Sequence, residues 1–148
     1  MLSQEQRERY QRNILIPGFG ESGQQRLLNA SVCIVGLGGL GSPAALYLAA
    51  AGVGRLGLID SDILERSNLQ RQVLHTTERL GMSKARSAEM TLRALNPELT
   101  LETAQVRVTG ENAVRLFSEY DVVVEATDNF EAKFLINDAC LECRKPFT

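Results

Sequence analysis

Three glycines at fixed intervals follow directly on a run of apolar residues, and they constrain the fold more than any other feature of this sequence. The apolar run covers residues 31–35, and Gly36, Gly38 and Gly41 lead from it into the apolar stretch 43–51. A run that is apolar at consecutive positions is typical of a parallel strand buried on both faces. The following stretch opens on a proline and is closed by a glycine, as helices often are. The chain is therefore predicted to pass from a buried strand through a tight turn into a helix.

The rest of the chain alternates between helix-like and strand-like segments. We predict further strands at 55–60, 100–108 and 121–126, helices at 3–13, 21–29, 84–95, 111–119 and 130–144, and an irregular stretch at 61–83. This order predicts an α/β fold with a doubly wound, mostly parallel Rossmann-like sheet. We expect an N-terminal helical arm over residues 1–30 and a Rossmann-like domain over 31–148. Because residues 146–148 look like the start of another strand, we expect that domain to be truncated at its C-terminus.

Composition excludes several classes of protein. The 148 residues carry a net charge of −2 and are 44% hydrophobic and 23% charged, which is ordinary globular usage and excludes disorder. A near-neutral charge argues against a nucleic-acid binder. The longest apolar stretch, 44–54, is too short to cross a membrane, and the polar N-terminus is no secretory signal. Three cysteines make no disulfide framework, so we expect a cytoplasmic protein without membrane or nucleic-acid partners.

An acidic residue stands where a nucleotide site needs one. Asp60 closes the strand that follows the glycine turn, and there it can accept hydrogen bonds from ribose hydroxyls. The helix that starts at the turn offers free N–H groups and a positive dipole end to an anion. The sequence therefore predicts a mononucleotide or dinucleotide at this turn. The alternative is that the glycines only let a helix pack closely against a strand.

Three further charged residues suit phosphates. Arg71 and Lys84 could both turn towards the phosphate end, and two cations fit a triphosphate better than a dinucleotide. Asp128 follows the strand 121–126 at the carboxyl edge of the sheet, where it is a candidate Mg²⁺ ligand. Taken singly, each residue also has a structural interpretation: a solvated arginine, a lysine at a helix start, and an aspartate that caps the helix from Phe130.

Several motifs, in this order and spacing, resemble the MoeB/ThiF/HesA family of ubiquitin-activating-enzyme-like adenylyltransferases, in their N-terminal portion. The resemblance covers essentially the whole chain, and its Ser-Asn-Leu-Gln-Arg-Gln and Thr-Asp-Asn elements are more specific than the glycines. The motifs are Arg9-Tyr10-x-Arg12, Gly36-Leu37-Gly38-Gly39-Leu40-Gly41, Ala51-Gly52-Val53-Gly54, Ser67-Asn68-Leu69-Gln70-Arg71-Gln72, Gly81-x-x-Lys84, Asn96-Pro97 and Thr127-Asp128-Asn129.

The resemblance implies an ATP- and Mg²⁺-dependent adenylyltransferase. Its substrate would be the C-terminal glycine carboxylate of a small ubiquitin-like sulfur carrier protein ending in Gly-Gly, and pyrophosphate would leave. The family works as a homodimer, in which Arg12 reaches the phosphates of the neighbouring subunit. Asp128 would hold the metal, and Arg12, Arg71, Lys84 and Asp128 would be the catalytic residues. The implied nucleotide-binding residues are Gly36, Gly38, Gly39, Gly41, Asp60, Ser67, Asn68, Arg71, Lys84, Asp128 and Asn129.

The implied chemistry needs no general base. The attacking carboxylate is already ionised at neutral pH, so catalysis is expected to rest on charge neutralisation and in-line positioning. We accordingly interpret the lone His75 as structural. Cys140 and Cys143 have the C-x-x-C form, but without a second such pair we predict that they pack in the core. Any structural zinc is expected only downstream, and we expect that this chain alone cannot complete catalysis.

Two other functions stay open at this stage. One is an NAD(P)-dependent oxidoreductase that uses the same glycine turn, although hydride transfer would not need Arg71, Lys84 and Asp128. The other is a non-catalytic scaffold that binds a nucleotide or a ubiquitin-like protein. Within the adenylyltransferase hypothesis, the sequence leaves both thiamine and molybdopterin biosynthesis as possible pathways.

Overall fold

The structure is a computed structural model that describes all residues from 1 to 148. Seven helices and four strands follow one another along the chain, with short 3₁₀ turns at Arg66–Asn68 and Thr77–Arg79. The helices are α1 (Gln4–Arg9), α2 (Gln11–Ile14), α3 (Gly20–Asn29), α4 (Gly41–Ala51), α5 (Lys84–Leu95), α6 (Ala113–Ser118) and α7 (Phe130–Glu142). The strands are β1 (Ser31–Val35), β2 (Arg55–Ile59), β3 (Thr100–Ala104) and β4 (Val122–Glu125).

All four strands are parallel and lie in the order β3-β2-β1-β4. The register aligns the last residue of β1, Val35, with Ile59 of β2 on one side and with Glu125 of β4 on the other. The chain thus builds outwards from β1 in one direction and then returns to its other side. A crevice opens at such a reversal, beyond the carboxyl ends of the strands. The predicted parallel α/β sheet is confirmed.

Two apolar layers cover the two faces of the sheet. Side chains of β1 alternate between them: Val32 and Ile34 pack towards α4 and α5, whereas Cys33 and Val35 pack towards α6 and α7. This alternation is the period of an extended strand, and it explains why every residue of β1 is buried. Helices therefore lie on both sides of the sheet, as the predicted doubly wound arrangement requires.

The N-terminal arm divides where one helix was predicted. The prediction of a single helix over 3–13 is wrong at Tyr10, which leaves the helical conformation with φ −102° and ψ 16° and separates α1 from α2. Tyr10 is buried, and its hydroxyl accepts a hydrogen bond of 2.9 Å from Nδ2 of Asn96. The burial of Tyr10 against the end of α5 therefore stabilises the fold more than a continuous helix over 3–13 would. The division into an arm (1–30) and a domain (31–148) stays a prediction.

The predicted boundaries fail at two other places. β3 ends at Ala104 rather than at residue 108, and α7 ends at Glu142, so that Cys143 lies just past the helix. The last three residues hydrogen-bond to β4, with Val123 N donating to Pro146 O at 3.0 Å and Thr148 N to Val123 O at 3.1 Å. This pairing is parallel and agrees with the predicted start of another strand.

All three cysteines are free, and Cys33 and Cys140 are buried as predicted. None of the helices has both the length and the apolar character that crossing a membrane requires.

Candidate functional site

A cavity of about 1210 Å³ opens at the carboxyl ends of the strands, where β1 lies between β2 and β4. The sequence motifs supply three of its walls: the glycine turn after β1, the acidic end of β2, and the turn after β4. A loop that follows β3, the first turns of α7, and residues 71, 72 and 84 supply the rest. The residues that line the cavity are 35–36, 38–40, 59–62, 71–72, 84, 106–110, 126–129, 131–132 and 135–136.

The glycines bring the turn after β1 into contact with the turn after β4. Gly36 has φ +92°, and a Cβ at this position would lie 2.6 Å from the carbonyl oxygen of Ala126. A Cβ at Gly41 would lie 1.8 Å from the carbonyl oxygen of Gly36. Gly41 does not line the cavity, so its contribution is the close start of α4. Gly38 and Gly39 do line it, and Gly39 lies against the side chain of Arg71.

Asp60 holds the glycine turn while facing the cavity. Its Oδ2 accepts a hydrogen bond of 2.8 Å from Leu37 N, and its Oδ1 accepts one of 2.8 Å from Asp62 N. Each carboxylate oxygen retains a lone pair for another donor. Asp60 therefore shapes the site and remains able to accept from a bound hydroxyl, which is the predicted ribose contact.

The two predicted cations both line the cavity but differ in their surroundings. Arg71 is exposed, and the only hydrogen bond of its side chain is a long one of 3.5 Å to Ser67 O. The Lys84 side chain is only 8% exposed, and its Nζ lies 2.8 Å from Oδ2 of Asp62. Asp62, which the sequence reasoning missed, therefore fixes the ammonium group at the cavity wall. The ammonium group has two further N–H donors for a ligand.

The turn after β4 presents one free carboxylate. Asp128 lines the cavity, is exposed, and has neither a hydrogen bond nor an ion pair. The helix cap is the next residue: Asn129 Oδ1 accepts a hydrogen bond of 2.9 Å from Ala132 N. Capping of α7 therefore does not account for Asp128. No group of three or more acidic, histidine or cysteine side chains forms a metal cage. A lone carboxylate does fit Mg²⁺, which proteins often hold through one or two carboxylates together with substrate phosphates.

Besides Gly41, three of the residues predicted from the resemblance lie outside the cavity lining: Arg12, Ser67 and Asn68. Asn68 Oδ1 accepts a hydrogen bond of 2.9 Å from Glu65 N, and the hydroxyl of Ser67 lies 3.4 Å from Oε2 of Glu65. Both side chains thus organise their own 3₁₀ turn. Arg12, on α2, is exposed and has no partner within the chain. The structure does not bring these three together with the others.

Besides Asp62, the sequence reasoning missed Gln72 and the loop 106–110, which also line the cavity. Gln72 is buried, its Nε2 lies close to Gly38, and its Oε1 has no hydrogen-bond partner. It belongs to the Ser-Asn-Leu-Gln-Arg-Gln motif, which could have identified it. The loop 106–110 gave no such signal, because its alternating pattern resembles a continuation of β3. This loop lines the cavity, and Arg107 lies 4.0 Å from Glu131 at the start of α7.

His75 supports the glycine turn from below. Its Nε2 lies 3.0 Å from Leu37 O and its Nδ1 lies 2.9 Å from the Ser87 hydroxyl. Because a carbonyl oxygen only accepts, Nε2 donates and Nδ1 accepts in the neutral ring. Burial lowers the pKa of His75 and outweighs the hydrogen bond to Leu37, which acts in the opposite direction. The ring does not line the cavity, which agrees with its structural interpretation.

The fold and the site define a Rossmann-like α/β protein whose cavity lies where the strand order reverses. The chain belongs to the ThiF family, whose model matches residues 10–148.

Relatives and solved structures agree with this assignment. The chain is 47% identical over 146 residues to a probable adenylyltransferase/sulfurtransferase, MoeZ, of Mycobacterium tuberculosis, covering 99% of this chain and 37% of that protein. It is 49% identical over 144 residues to a sulfur carrier protein adenylyltransferase of Thermus thermophilus, covering 97% and 53%. An E. coli tRNA N6-threonylcarbamoyladenosine dehydratase, TcdA, solved with AMP, superposes with a TM-score of 0.93 at 30% identity, covering 99% and 59%. The same enzyme has been solved with ATP. The chain thus spans about half or less of the length of these curated relatives.

Proposed function

We propose that this chain supplies the ATP and Mg²⁺ site of an enzyme that adenylates the C-terminal glycine carboxylate of a small ubiquitin-like sulfur carrier protein. One observation carries the proposal: Asp128 presents a free carboxylate in the same cavity as Arg71 and Lys84, above a glycine turn. Hydride transfer would need none of these three charges. The curated relatives named above, which are adenylyltransferases by name, support the reaction class.

In this proposal the chain's own residues bind the nucleotide and neutralise the charge of its phosphates. Asp60 accepts from the ribose hydroxyls, and Gly38 and Gly39 allow the nucleotide to approach the backbone. Arg71 and Lys84 face the phosphates, where they stabilise negative charge that develops as the carboxylate attacks the α-phosphorus and pyrophosphate leaves. Asp128 holds Mg²⁺, which supplies further neutralisation of phosphate charge when bound. No side chain has to remove a proton, because the nucleophile is ionised.

We further propose that the working unit is a homodimer, with Arg12 acting in the neighbouring subunit. Two observations support this. Arg12 is exposed, unpaired and outside its own chain's cavity. Next to it, Leu15 and Ile16 are 65% and 54% exposed, which is unusual for adjacent large apolar residues and suits a covered surface. A reducing cytoplasmic location is part of the same proposal, since all three cysteines are free.

The test is ATP–pyrophosphate exchange by the protein at its natural length. Two purified carriers ending in Gly-Gly are compared, one of the thiamine type and one of the molybdopterin type. Exchange that requires one of them establishes adenylation and identifies the pathway. If neither supports exchange while ATP still raises the melting temperature, the scaffold function is favoured. Stabilisation by NAD instead of ATP would contradict the proposal.

A matched pair of variants tests the role of Asp128. Asp128→Asn keeps the shape of the side chain and removes its charge, so we expect Mg²⁺-dependent exchange to fall by about 100-fold, as for loss of one electrostatic contact to a transition state. Asp138→Asn is the control, because Asp138 is exposed on α7 outside the cavity lining. Equal activity of the two variants would remove Asp128 from the mechanism.

A further inference from the structure

The turn that bears Asp128 is fixed by an ion pair beneath it. Glu125 is the last residue of β4, and its Oε1 accepts a hydrogen bond of 2.6 Å from Thr127 N and another from the Thr127 hydroxyl. Its Oε2 lies 2.6 Å from Nζ of Lys133, one turn into α7. The same ammonium group donates at 3.0 Å to the carbonyl oxygen of Thr127. The Glu125–Lys133 pair therefore binds Thr127 on both sides: Glu125 accepts from its N–H and hydroxyl, and Lys133 donates to its carbonyl oxygen.

The two side chains of the pair differ in burial, because the Lys133 side chain is 40% exposed and that of Glu125 is largely buried. The Glu125 side chain is only 11% exposed, so the loss of water must be compensated by hydrogen bonds. Burial raises the pKa of Glu125, but the hydrogen bonds from Lys133 and Thr127 outweigh it and leave the pKa below its usual value. The carboxylate thus stays ionised near neutral pH, and each of its oxygens has a donor. Such charge-assisted contacts are stronger and more directional than neutral ones.

The other end of the turn is held as well. Ala126 N donates to Val35 O at 2.8 Å, and its carbonyl oxygen lies against Gly36. Asn129 caps α7. Among the three polar side chains of residues 126–129, those of Thr127 and Asn129 are hydrogen-bonded and that of Asp128 is not.

We propose that Glu125 and Lys133 are positioning residues that hold the turn 127–129 so that the carboxylate of Asp128 faces the cavity. The catalytic meaning of this inference rests on the proposed function, because it assigns Asp128 to the metal. The inference itself concerns the conformation of the turn, which can be measured without nucleotide. Residues that are close in sequence thus have different roles: Asp128 binds the metal, and Glu125 and Lys133 orient the turn that carries Asp128.

The first measurement is hydrogen exchange of the nucleotide-free chain. In Lys133→Met we expect the amide of Thr127 to exchange at least about tenfold faster, because its acceptor Glu125 is no longer anchored. Lys133→Arg should restore protection, since a guanidinium can bridge the same two acceptors. Lys145→Met is the control, a lysine whose side chain makes no hydrogen bond and lies outside the cavity lining. Unchanged exchange at Thr127 in Lys133→Met would overturn the inference.

The second measurement follows ATP binding as Mg²⁺ is titrated. Loss of a partner that orients a metal ligand costs metal affinity about 10–100-fold, so Lys133→Met should raise the Mg²⁺ midpoint by about tenfold. The affinity for ATP in EDTA should stay within about twofold, which a general loss of structure would not allow. An unchanged Mg²⁺ midpoint alongside a Mg²⁺-dependent wild type would overturn the positioning role. A wild type without any Mg²⁺ dependence would instead defeat the proposed role of Asp128, and the exchange experiment would still decide the conformation of the turn.

A double variant guards against unfolding of the single one. Lys133→Met leaves the buried Glu125 charge uncompensated, which is the costly way to break such a pair. Glu125→Gln combined with Lys133→Met leaves no charge there and keeps an acceptor for Thr127. We expect the double variant to melt close to the wild type and still to show the raised Mg²⁺ midpoint. A wild-type midpoint in the folded double variant would contradict the inference.

Discussion

His75 shows how one buried side chain ties the glycine turn to the helix beneath it. In the neutral ring, Nε2 donates to Leu37 O and Nδ1 accepts from the Ser87 hydroxyl of α5, and burial favours this neutral form. A protonated ring would lose its acceptor at Nδ1. Burial opposes protonation more strongly than the hydrogen bond to Leu37 favours it, so the contacts beneath the glycine turn depend on the charge state of a residue that does not line the cavity.

This dependence predicts how stability changes with pH. The folded-state pKa of His75 is lowered by burial, whereas the unfolded value is about 6.5. Below that value the unfolded chain takes up a proton that the folded chain does not. The free energy of unfolding should therefore fall as the pH drops from about 7 to about 5.5, by at most about 1.4 kcal/mol per pH unit. Urea unfolding at several pH values measures it.

His75→Gln is the control for this titration, because His75 is the only histidine of the chain. Glutamine keeps an N–H donor that can reach Leu37 O and does not titrate. The variant should lose most of the pH dependence between about pH 7 and about pH 5.5, whatever its stability at neutral pH. If wild type and variant have the same slope, the ring does not control it.

The residues of the site differ in how far the sequence could predict them. Gly38, Gly39, Asp60, Arg71, Lys84 and Asp128 carry motif signals, and all of them line one cavity. Asp62, Gln72, Glu125 and Lys133 act by holding or flanking these residues, and such partners follow from three-dimensional contacts rather than from spacing. Glu125 and Lys133 are eight residues apart, on a strand and on a helix. Only the fold shows that they meet.

At the scale of elements, the site depends on a contact between two turns. The glycine turn after β1 and the turn after β4 touch at Gly36, whose missing Cβ leaves room for Ala126 O. Neighbouring parallel strands end at one edge of the sheet, so their turns must pass one another there. The two turns can approach this closely because Gly36 has no side chain.

The contact predicts the effect of adding one methyl group. Gly36→Ala would place a Cβ at 2.6 Å from a backbone oxygen and also strain a residue at φ +92°, so we expect a loss of at least about 3 kcal/mol in unfolding free energy. Gly81→Ala is the matched control, because Gly81 has φ +84° with nothing within 4 Å of the added carbon. It should cost only the backbone strain, about 1 kcal/mol.

Chemical denaturation of both variants gives the comparison. Their difference isolates the crowding between the two turns from the cost of the left-handed conformation. Equal losses would mean that the turns can move apart without cost, and the cavity would then be less rigid than the structure indicates.

The predicted elements fail where tertiary contacts compete with local pattern. Alternation over 100–108 is typical of a strand, yet β3 ends at Ala104 and the remainder becomes a cavity wall. The helix predicted over 3–13 is interrupted because Tyr10 buries its ring and bonds to Asn96, far along the chain. By contrast, β1 and α4 are bounded by glycines whose conformational needs are local. Their positions were therefore predictable to within two residues.

At the scale of the whole molecule, the proposed dimer makes a quantitative prediction. Arg12→Ala and Asp128→Asn would each disable every site of their own homodimers, in different ways. When the two are mixed and allowed to exchange subunits, half the dimers are mixed, and each of those contains one site with both residues intact. We expect the inactive variants to recover about a quarter of wild-type exchange activity.

The measurement is ATP–pyrophosphate exchange before and after subunit exchange, at constant total protein. A mixture of Arg12→Ala with the double variant Arg12→Ala, Asp128→Asn is the control, since no combination of those subunits restores a site. Failure to recover activity, in a mixture shown to contain mixed dimers, would place Arg12 in its own subunit or outside the reaction.

The hydrogen bond between His75 and Leu37 also provides a spectroscopic reporter. A chain with one imidazole gives one set of imidazole resonances, which need no assignment by mutagenesis. The ring touches the backbone of the glycine turn but not the cavity, so its chemical shifts would follow changes in the turn without direct interference from a ligand's aromatic ring. Nucleotide occupancy could then be followed by a single signal, in dilute solution and without a label on either partner.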